Sequence, residues 1–595
     1  MPTPNRRQIQ PATARLCPTP AARLVAAALL ALCAGTLQAQ PIFDRGARFH
    51  PVQAPPGKGM VVSQDRLASE VGARILARGG NAIDAAVATG FALAVTFPQA
   101  GNLGGGGFML VYLAESDQYH ALDYRETAPA SAQADMYVTA AGTIDTRKKR
   151  YGIESVAVPG TVAGLLHAHQ KWGRLSRRQV LWPAIRLATK GFIISDSLAY
   201  SLQRAAPRLQ TATTKAYFLD RDGNARPPGT HWRQPDLART LRRIARHGRA
   251  GFYQGDTAQK IIDQVTKLGG QLTAQDLRDY RSLERPPLIA TYRGHQIIAM
   301  PPPSSGGVHL IQMLNMLENI DLANLEHNSA DYLHYLIEAM KPAYADRSLH
   351  LGDPDFTPVP VAQLTAKDYA AKLWKEIDPA RARPAAQIRP TQFALNTTES
   401  HDTTHYGVWD AEGNVVSNTY TLNFSYGNGI AVAGAGFLLN NQMDDFTAQP
   451  GTANAYGLPG GTANAIAPGK RPLSSMAPTI VARNGTPILA TGSPGGPTII
   501  TAVLQSILNV VDFQMNAAEA ATAPRLHHQW QPDRILWEPG IPADTRQILK
   551  SRGHPFAPTP RPFGKLQLIA HHNDRLQGST DPRWPGGSAA VQPAK

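Results

Sequence analysis

His401-Asp402-Thr403-Thr404-His405-Tyr406-Gly407-Val408 is the stretch on which the reading of this chain turns. Thr404, Tyr406 and Val408 recur at every second position, the period of a β-strand, and two β-branched threonines open it. Taken alone, the segment is an ordinary strand start. Its surroundings allow a second reading. From Ile377 to Asp402 periodicity vanishes, and Pro379, Pro384 and Pro390 interrupt a run rich in Arg, Gln, Asn and Thr, the composition of a linker. If the chain is cut between Asp402 and Thr403, Thr403 carries a free α-amine beside its own hydroxyl. One residue then holds both nucleophile and base.

Outward from this stretch the pattern remains β on the C-terminal side. Asp410 to Asn414 reads as a turn and Val415 to Leu422 as a returning strand. A second hairpin is expected from Thr479–Ala482, the turn Arg483-Asn484-Gly485, and Pro487–Ala490. Gly492-Ser493-Pro494-Gly495-Gly496 then leads into a helix. Ile499, Val503 and Ile507, with Ile500, Leu504, Leu508 and Val511, give that helix a wide apolar stripe. On the N-terminal side Ser63 is expected to cap a helix bearing Leu67, Val71 and Ile75, stopped by Gly79-Gly80. Asn81 is expected to cap an almost wholly apolar helix from Ala82 to Val95, hence a buried one. A glycine run, Gly104 to Gly107, precedes a strand from Phe108 to Leu113 and another ending at Asp123-Tyr124-Arg125. Residues 160–380 read as mostly helical. No internal repeat is present, and the pattern implies packed layers of sheet and helix.

With 595 residues the chain exceeds one simple core, so two to four domains or one large layered unit are open. It is 43% hydrophobic and 17% charged, the composition of a globular protein, with net charge +15. The basic residues are scattered. The one dense run, Arg147-Lys148-Lys149-Arg150, reads as a solvated loop rather than a nucleic-acid contact, although a basic surface could attract anionic small molecules. Arg6, Arg7, Arg15 and Arg23 without any acidic residue, then the short apolar run Leu24 to Leu32, resemble a secretory signal cut after Ala39; a retained membrane anchor is the rival reading. Both cysteines, Cys17 and Cys33, lie in this segment. The chain from residue 40 onward therefore has no disulfide, thiolate metal site or cysteine nucleophile, which is compatible with a bacterial periplasm.

Three loops carry further chemistry. Gly495-Gly496 stands before a helix, where unpaired N–H groups and the positive end of the helix dipole could hold an oxyanion; a plain strand-to-helix turn is the alternative. Arg471-Pro472-Leu473-Ser474-Ser475-Met476 offers two hydroxyls, and Asn440-Asn441-Gln442-Met443-Asp444-Asp445 offers amides and carboxylates. With Arg125 they could grip a zwitterion, arginine and serines on a carboxylate, Asp445 and amides on an ammonium. Gly104 to Gly107 lacks the spacing of a dinucleotide site and reads as a close-packed turn. His401, Asp402 and His405 make a weak metal site with no further ligand motif, and His527-His528 reads as structural.

These motifs together resemble the bacterial γ-glutamyltranspeptidases, or glutathione hydrolases, of the N-terminal-nucleophile hydrolases. The resemblance runs from about Met60 to Arg583. It is carried by the 79–86 and 98–109 stretches, Pro301-Pro302-Pro303-Ser304-Ser305-Gly306-Gly307, Tyr344-Ala345-Asp346-Arg347, Asp402-Thr403-Thr404-His405-Tyr406, the 438–446 stretch, Pro472-Leu473-Ser474-Ser475-Met476 and Gly492-Ser493-Pro494-Gly495-Gly496. It implies an α+β fold, a four-layer αββα sandwich, made as a precursor that cleaves itself between Asp402 and Thr403. The large subunit would be 40–402, with 376–402 a mobile linker, and the small subunit 403–595, the two forming one intertwined heterodimer.

The resemblance also implies roles. Thr403 is the nucleophile and its α-amine the base, Thr421 assists it, and Gly495 and Gly496 hold the oxyanion. Arg125, Ser474 and Ser475 bind the γ-glutamyl α-carboxylate. Asn423, Gln442 and Asp445 bind its α-amine, and Tyr456 lies in a lid over the site. Glutathione and related γ-glutamyl compounds are donors. Water, amino acids or dipeptides are acceptors, with no metal or organic cofactor, no nucleic acid and no stable membrane span. Gly407, where serine is common, and the Gly578-Ser579-Thr580-Asp581-Pro582-Arg583 segment depart from the pattern. A glutaryl-type β-lactam acylase on the same fold, or a catalytically dead periplasmic binding protein, stay open as alternatives.

Overall fold

The computed structural model describes residues 50–390, 403–449 and 461–594. The expected leader 1–39, Asp402 of the expected cleavage site and Tyr456 of the expected lid lie outside the described residues, as does the later part of the expected linker.

Two seven-stranded sheets form the centre, and every neighbouring pair is antiparallel. The first runs across Ser588–Val591, Met60–Ser63, Thr403–Trp409, Val415–Thr421, Gly106–Leu113, Gln118–Tyr124 and Leu283–Arg285. The second runs across Val52–Gln53, Arg575–Thr580, Gln567–His572, Thr486–Gly492, Thr479–Arg483, His295–Ala299 and Leu288–Tyr292. Both sheets draw strands from either side of Thr403.

The strand Thr403–Trp409 is buried along its whole length, so both of its faces are covered. Tyr406 and Val408 point to the helical side, where the Tyr406 ring meets Tyr420 edge-on and the Tyr420 hydroxyl donates to Gly90 O in the helix Ala82–Thr96. All fifteen residues of that helix are buried, as its uniform apolarity requires. Asn81 caps it in a reciprocal box with Asp84. His405 and Gly407 point the other way, into the second sheet: Gly492 lies under the His405 ring and Ile569 packs at Gly407. Helices Gly306–Leu317, Ala330–His350 and Pro497–Val511 cover the far side of that second sheet, which completes four layers, αββα.

Some local expectations are corrected. The helix Arg66–Ala77 is capped by Asp65, whose carboxylate accepts from Ala68 N, not by Ser63. Ser63 stays in the sheet opposite Tyr406, and sheet pairing outweighs its capping preference. Three strands, Leu283–Arg285, Leu288–Tyr292 and His295–Ala299, lie in the region read as mostly helical. The hairpin between the last two turns at Arg293 and Gly294, both at positive φ, and Arg-Gly is not among the common sequence signals for such a turn. Arg147 to Arg150 is no solvated loop. It belongs to the helix Thr146–Tyr151, and Lys149 is buried with its ammonium donating to Asp444 O at 2.6 Å and lying 3.2 Å from Asp444 Oδ1.

The first part of the expected linker is fastened. His334 bonds Asp378 O, Lys341 donates to Arg383 O, Asp533 accepts from Ala385 N, and Trp530 Nε1 donates to Ala385 O. Among the described residues no helix is long and apolar enough to cross a membrane.

Candidate active site

Thr403 opens its strand and pairs in register with Thr421, the last residue of the neighbouring strand. Directly opposed residues share a face, so both threonines point between the two sheets. The intersheet layer is polar here. His405 Nδ1 lies 2.8 Å from Thr419 Oγ1, and Ser417 Oγ donates to Thr491 O at 3.2 Å. Burial pushes the His405 imidazole down to about 3, so it is neutral at physiological pH. His401 and Asp402, its partners in the weak metal site, lie outside the described residues.

The end of the Thr421 strand is held by the glycine run. Asn102 Nδ2 donates to Thr421 O at 3.0 Å, and Asn102 Oδ1 accepts from Gly105 N at 2.9 Å. A Cβ on Gly105 would stand 1.8 Å from Thr421 O, so the run serves close packing.

Beside Thr403 lies a tight cleft of about 10 Å³, lined by Arg125, Thr421, Asn423, Gln442, Asp445, Ser474, Ser475, Met476 and Ile499. Six residues expected to hold a zwitterion thus converge from four separate parts of the chain. The Arg125 guanidinium is buried, donates to Pro472 O and Leu473 O, and forms an ion pair with Asp445. Gln442 Nε2 donates to the same Asp445 oxygen, Oδ2. Its Oε1 has no hydrogen-bond partner among the described residues and is open to a donor. Asn423, at φ +76°, donates through Nδ2 to Asn441 O. The serines are braced from Pro301 to Gly307: Ser474 N donates to Pro303 O, and Ser304 Oγ donates to Met476 O.

Gly495 and Gly496 have φ +132° and +61°, and Gly496 is the N-cap of Pro497–Val511. Gly495 lines a second cavity of about 350 Å³ that Thr403 also borders. Thr403 therefore stands in the wall between a cleft rich in charged groups and a roomier chamber.

Two contributors escaped the sequence reading. Arg347, buried on the helix Ala330–His350, donates to Ser475 Oγ at 3.3 Å and to Ser305 Oγ at 3.1 Å. A guanidinium has no acceptor, so the Ser475 proton is turned elsewhere. Its motif was visible, its role was not.

The other is Glu126, fully buried beside Arg125, with Oε2 3.6 Å from Arg125 Nη1 and neither oxygen hydrogen-bonded among the described residues. Burial outweighs the arginine and pushes this carboxyl up to about 7. A raised carboxyl contributes stability that is complete below its unfolded value and is lost as pH rises through the folded one. We expect Glu126→Gln to remove up to about 3 kcal/mol of the stability loss that wild type shows between pH 4.5 and 8.5. Urea midpoints at both pH values measure this, and identical pH dependence in the two proteins would refute it.

A threonine that opens a buried strand between the two sheets of an αββα sandwich, beside a cleft lined by an arginine, a carboxylate, amides and serines, is an arrangement that fits the N-terminal-nucleophile hydrolases. Comparison with known proteins narrows the class. The profile of the gamma-glutamyltranspeptidase family matches residues 68–591, and the chain belongs to that family. The glutathione hydrolase proenzyme of Escherichia coli K12 is 47% identical over 537 residues, 90% of this chain and 92% of the relative. The cephalosporin acylase structure from Bacillus halodurans superposes with a TM-score of 0.82 at 30% identity, covering 93% of this chain and 99% of the other. A Helicobacter pylori gamma-glutamyltranspeptidase chain gives a TM-score of 0.54 at 44% identity over 55% of this chain and 95% of its own length.

Proposed function

We propose that this enzyme, a γ-glutamyltransferase and glutathione hydrolase, acts through Thr403 after cutting its own chain between Asp402 and Thr403. Thr403 Oγ attacks the Asp402 carbonyl, the peptide nitrogen leaves as the new α-amine, and water hydrolyses the resulting ester. Subunits 40–402 and 403–595 stay together as one intertwined unit, because each sheet contains strands of both. The segment 1–39 directs export to the periplasm.

In the mature site the α-amine, with an ordinary pKa of about 7.7–8.0, accepts the Thr403 hydroxyl proton near neutral pH. Oγ bonds to the γ-carbonyl carbon of the donor, with Thr421 steadying the nucleophile and the N–H groups of Gly495 and Gly496 taking the oxyanion. The C–N bond then breaks, the leaving amine receives the proton, and a γ-glutamyl-threonine ester remains. Water or an acceptor amine attacks that ester and regenerates Thr403.

The observation that carries this reading is the Arg125–Asp445 ion pair inside the cleft. A γ-glutamyl head carries the complementary pair of charges. Its α-carboxylate replaces Asp445 at Arg125, with Ser474 and Ser475 donating. Its α-ammonium replaces Arg125 at Asp445, with Gln442 and Asn423 accepting. This exchange keeps every buried charge compensated and opens the cleft to its ligand.

The likeness to an acylase structure supports a second reading, in which the acyl group lacks the ammonium. Asp445 and Gln442 argue against it. Turnover of γ-glutamyl-p-nitroanilide and glutaryl-p-nitroanilide, with intact-mass analysis of quenched samples, separates the two. We expect dye release from the first substrate at least about 100-fold faster, with one γ-glutamyl group trapped on the small subunit. Preference for the glutaryl substrate would establish the acylase, and no release from either would refute both.

A further inference from the structure

Resting on that reading, we propose that the chamber of about 350 Å³ on the other side of Thr403 is a carboxylate-selecting subsite for leaving groups and acceptors. The γ-glutamyl head fills the tight cleft, so the rest of the donor extends into the chamber. An acceptor amine attacks the same ester carbonyl from the position the leaving amine vacates, so both species meet the same walls.

Those walls are cationic. Arg534, Arg561, Lys565 and Arg583 line the chamber, and no aspartate or glutamate does so among the described residues. The four cations are not equivalent. Arg583 is neutralised by Glu538 and Asp581, and Lys565 Nζ sits 4.6 Å from the centre of the Trp584 ring. Arg534 and Arg561 are exposed at the chamber and form no ion pair among the described residues. Leu536, Phe563, Pro532 and Pro562 supply apolar wall around them, which reduces screening by water.

Two consequences follow for a ligand with an amine at one end and a carboxylate at the other. The carboxylate is drawn to Arg534 and Arg561, whose forked donors suit it. The same positive field disfavours the ammonium form of the amine, so more of it is present as the nucleophile. A peptide with a free C-terminal carboxylate gains on both counts, and its amide gains on one.

Hydrolysis of glutathione and of its glycine amide tests the subsite, because the two donors share the γ-glutamyl group and the departing amine and differ in one charge. We expect kcat/KM for the free acid to exceed that for the amide by about tenfold at low salt, and less at high salt. In the Arg534→Gln/Arg561→Gln double variant the ratio should fall to near one. Taking the ratio within one preparation cancels any loss of folded enzyme. Equal use of both donors by wild type, or an unchanged ratio in the double variant, would overturn the proposal. Both results presuppose release from γ-glutamyl-p-nitroanilide, whose failure would instead sink the γ-glutamyl reading itself.

Discussion

Thr403→Ala is expected to purify as one uncut chain and to release no dye from γ-glutamyl-p-nitroanilide, with turnover at least about 10⁴-fold below wild type. The substitution removes the hydroxyl that the proposed mechanism uses in both reactions and little else. Thr403 pairs with Thr421 through its backbone, and that pairing survives the change. Alanine is a poorer strand former than threonine by less than about 1 kcal/mol, so the sandwich should still assemble. Circular dichroism and the elution volume check that it does. Thr403→Ser restores a hydroxyl and should recover cleavage and turnover at reduced rate. Intact mass then shows two fragments for wild type and Thr403→Ser, the smaller beginning at residue 403. Two fragments from Thr403→Ala would show that another group cuts the chain. Dye release from an uncut Thr403→Ala chain would remove Thr403 from the mechanism.

Asp445→Ala should have the second largest effect, on specificity more than on the chemical step. The variant leaves Arg125 buried without its carboxylate. Removing one member of a buried ion pair costs about 3–5 kcal/mol, part of it as lost stability. On the proposed reading the α-ammonium of the donor loses its counter-charge at the same time. We expect kcat/KM for γ-glutamyl-p-nitroanilide to drop roughly 10²–10³-fold, mostly through KM, since the lost contact lies remote from the scissile bond. The glutaryl substrate has no ammonium to lose, so its kcat/KM should change far less and the preference between the two should approach one. Asp445→Asn keeps the shape and should lie between. An unchanged preference in Asp445→Ala would mean that Asp445 balances Arg125 and does not read the substrate.

Much of this architecture was legible in the sequence because local physics and global packing agree there. The apolar run after Asn81 has no polar face, so it had to be a buried helix, and Asn81 and Asp84 form the cap its residues imply. The Thr403–Trp409 and Val415–Thr421 hairpin followed from alternation around a turn. Where the two levels disagree, the reading failed. Ser63 is a good cap by nature, but it is held in the sheet, and Asp65 caps instead. Lys149 belongs to a basic run that would ordinarily be solvated, yet Asp444, 295 positions away, compensates it in the interior. The three strands between Leu283 and Ala299 are short and partly exposed, so their apolar signal is thin.

The sequence by itself determined the chemistry available to this protein. A threonine after a linker, a Gly-Gly helix start, one arginine, two serines and an acidic-amide turn are side-chain facts, independent of where the chain runs. Only the tertiary structure decided which of them meet. Sheet pairing sets Thr403 against Thr421, and long-range packing brings Arg125 to Asp445 and Ser474 across more than 300 positions. Burial then turned Glu126 from an ordinary carboxylate into one that keeps its proton up to about pH 7. The cationic chamber has the same origin. Arg534 and Arg561 are unremarkable in the sequence, and they acquire meaning because the fold sets them around the cavity that Thr403 borders. Distance, dielectric and neighbouring charge fix what an ionisable group does, and none of the three is local along the chain.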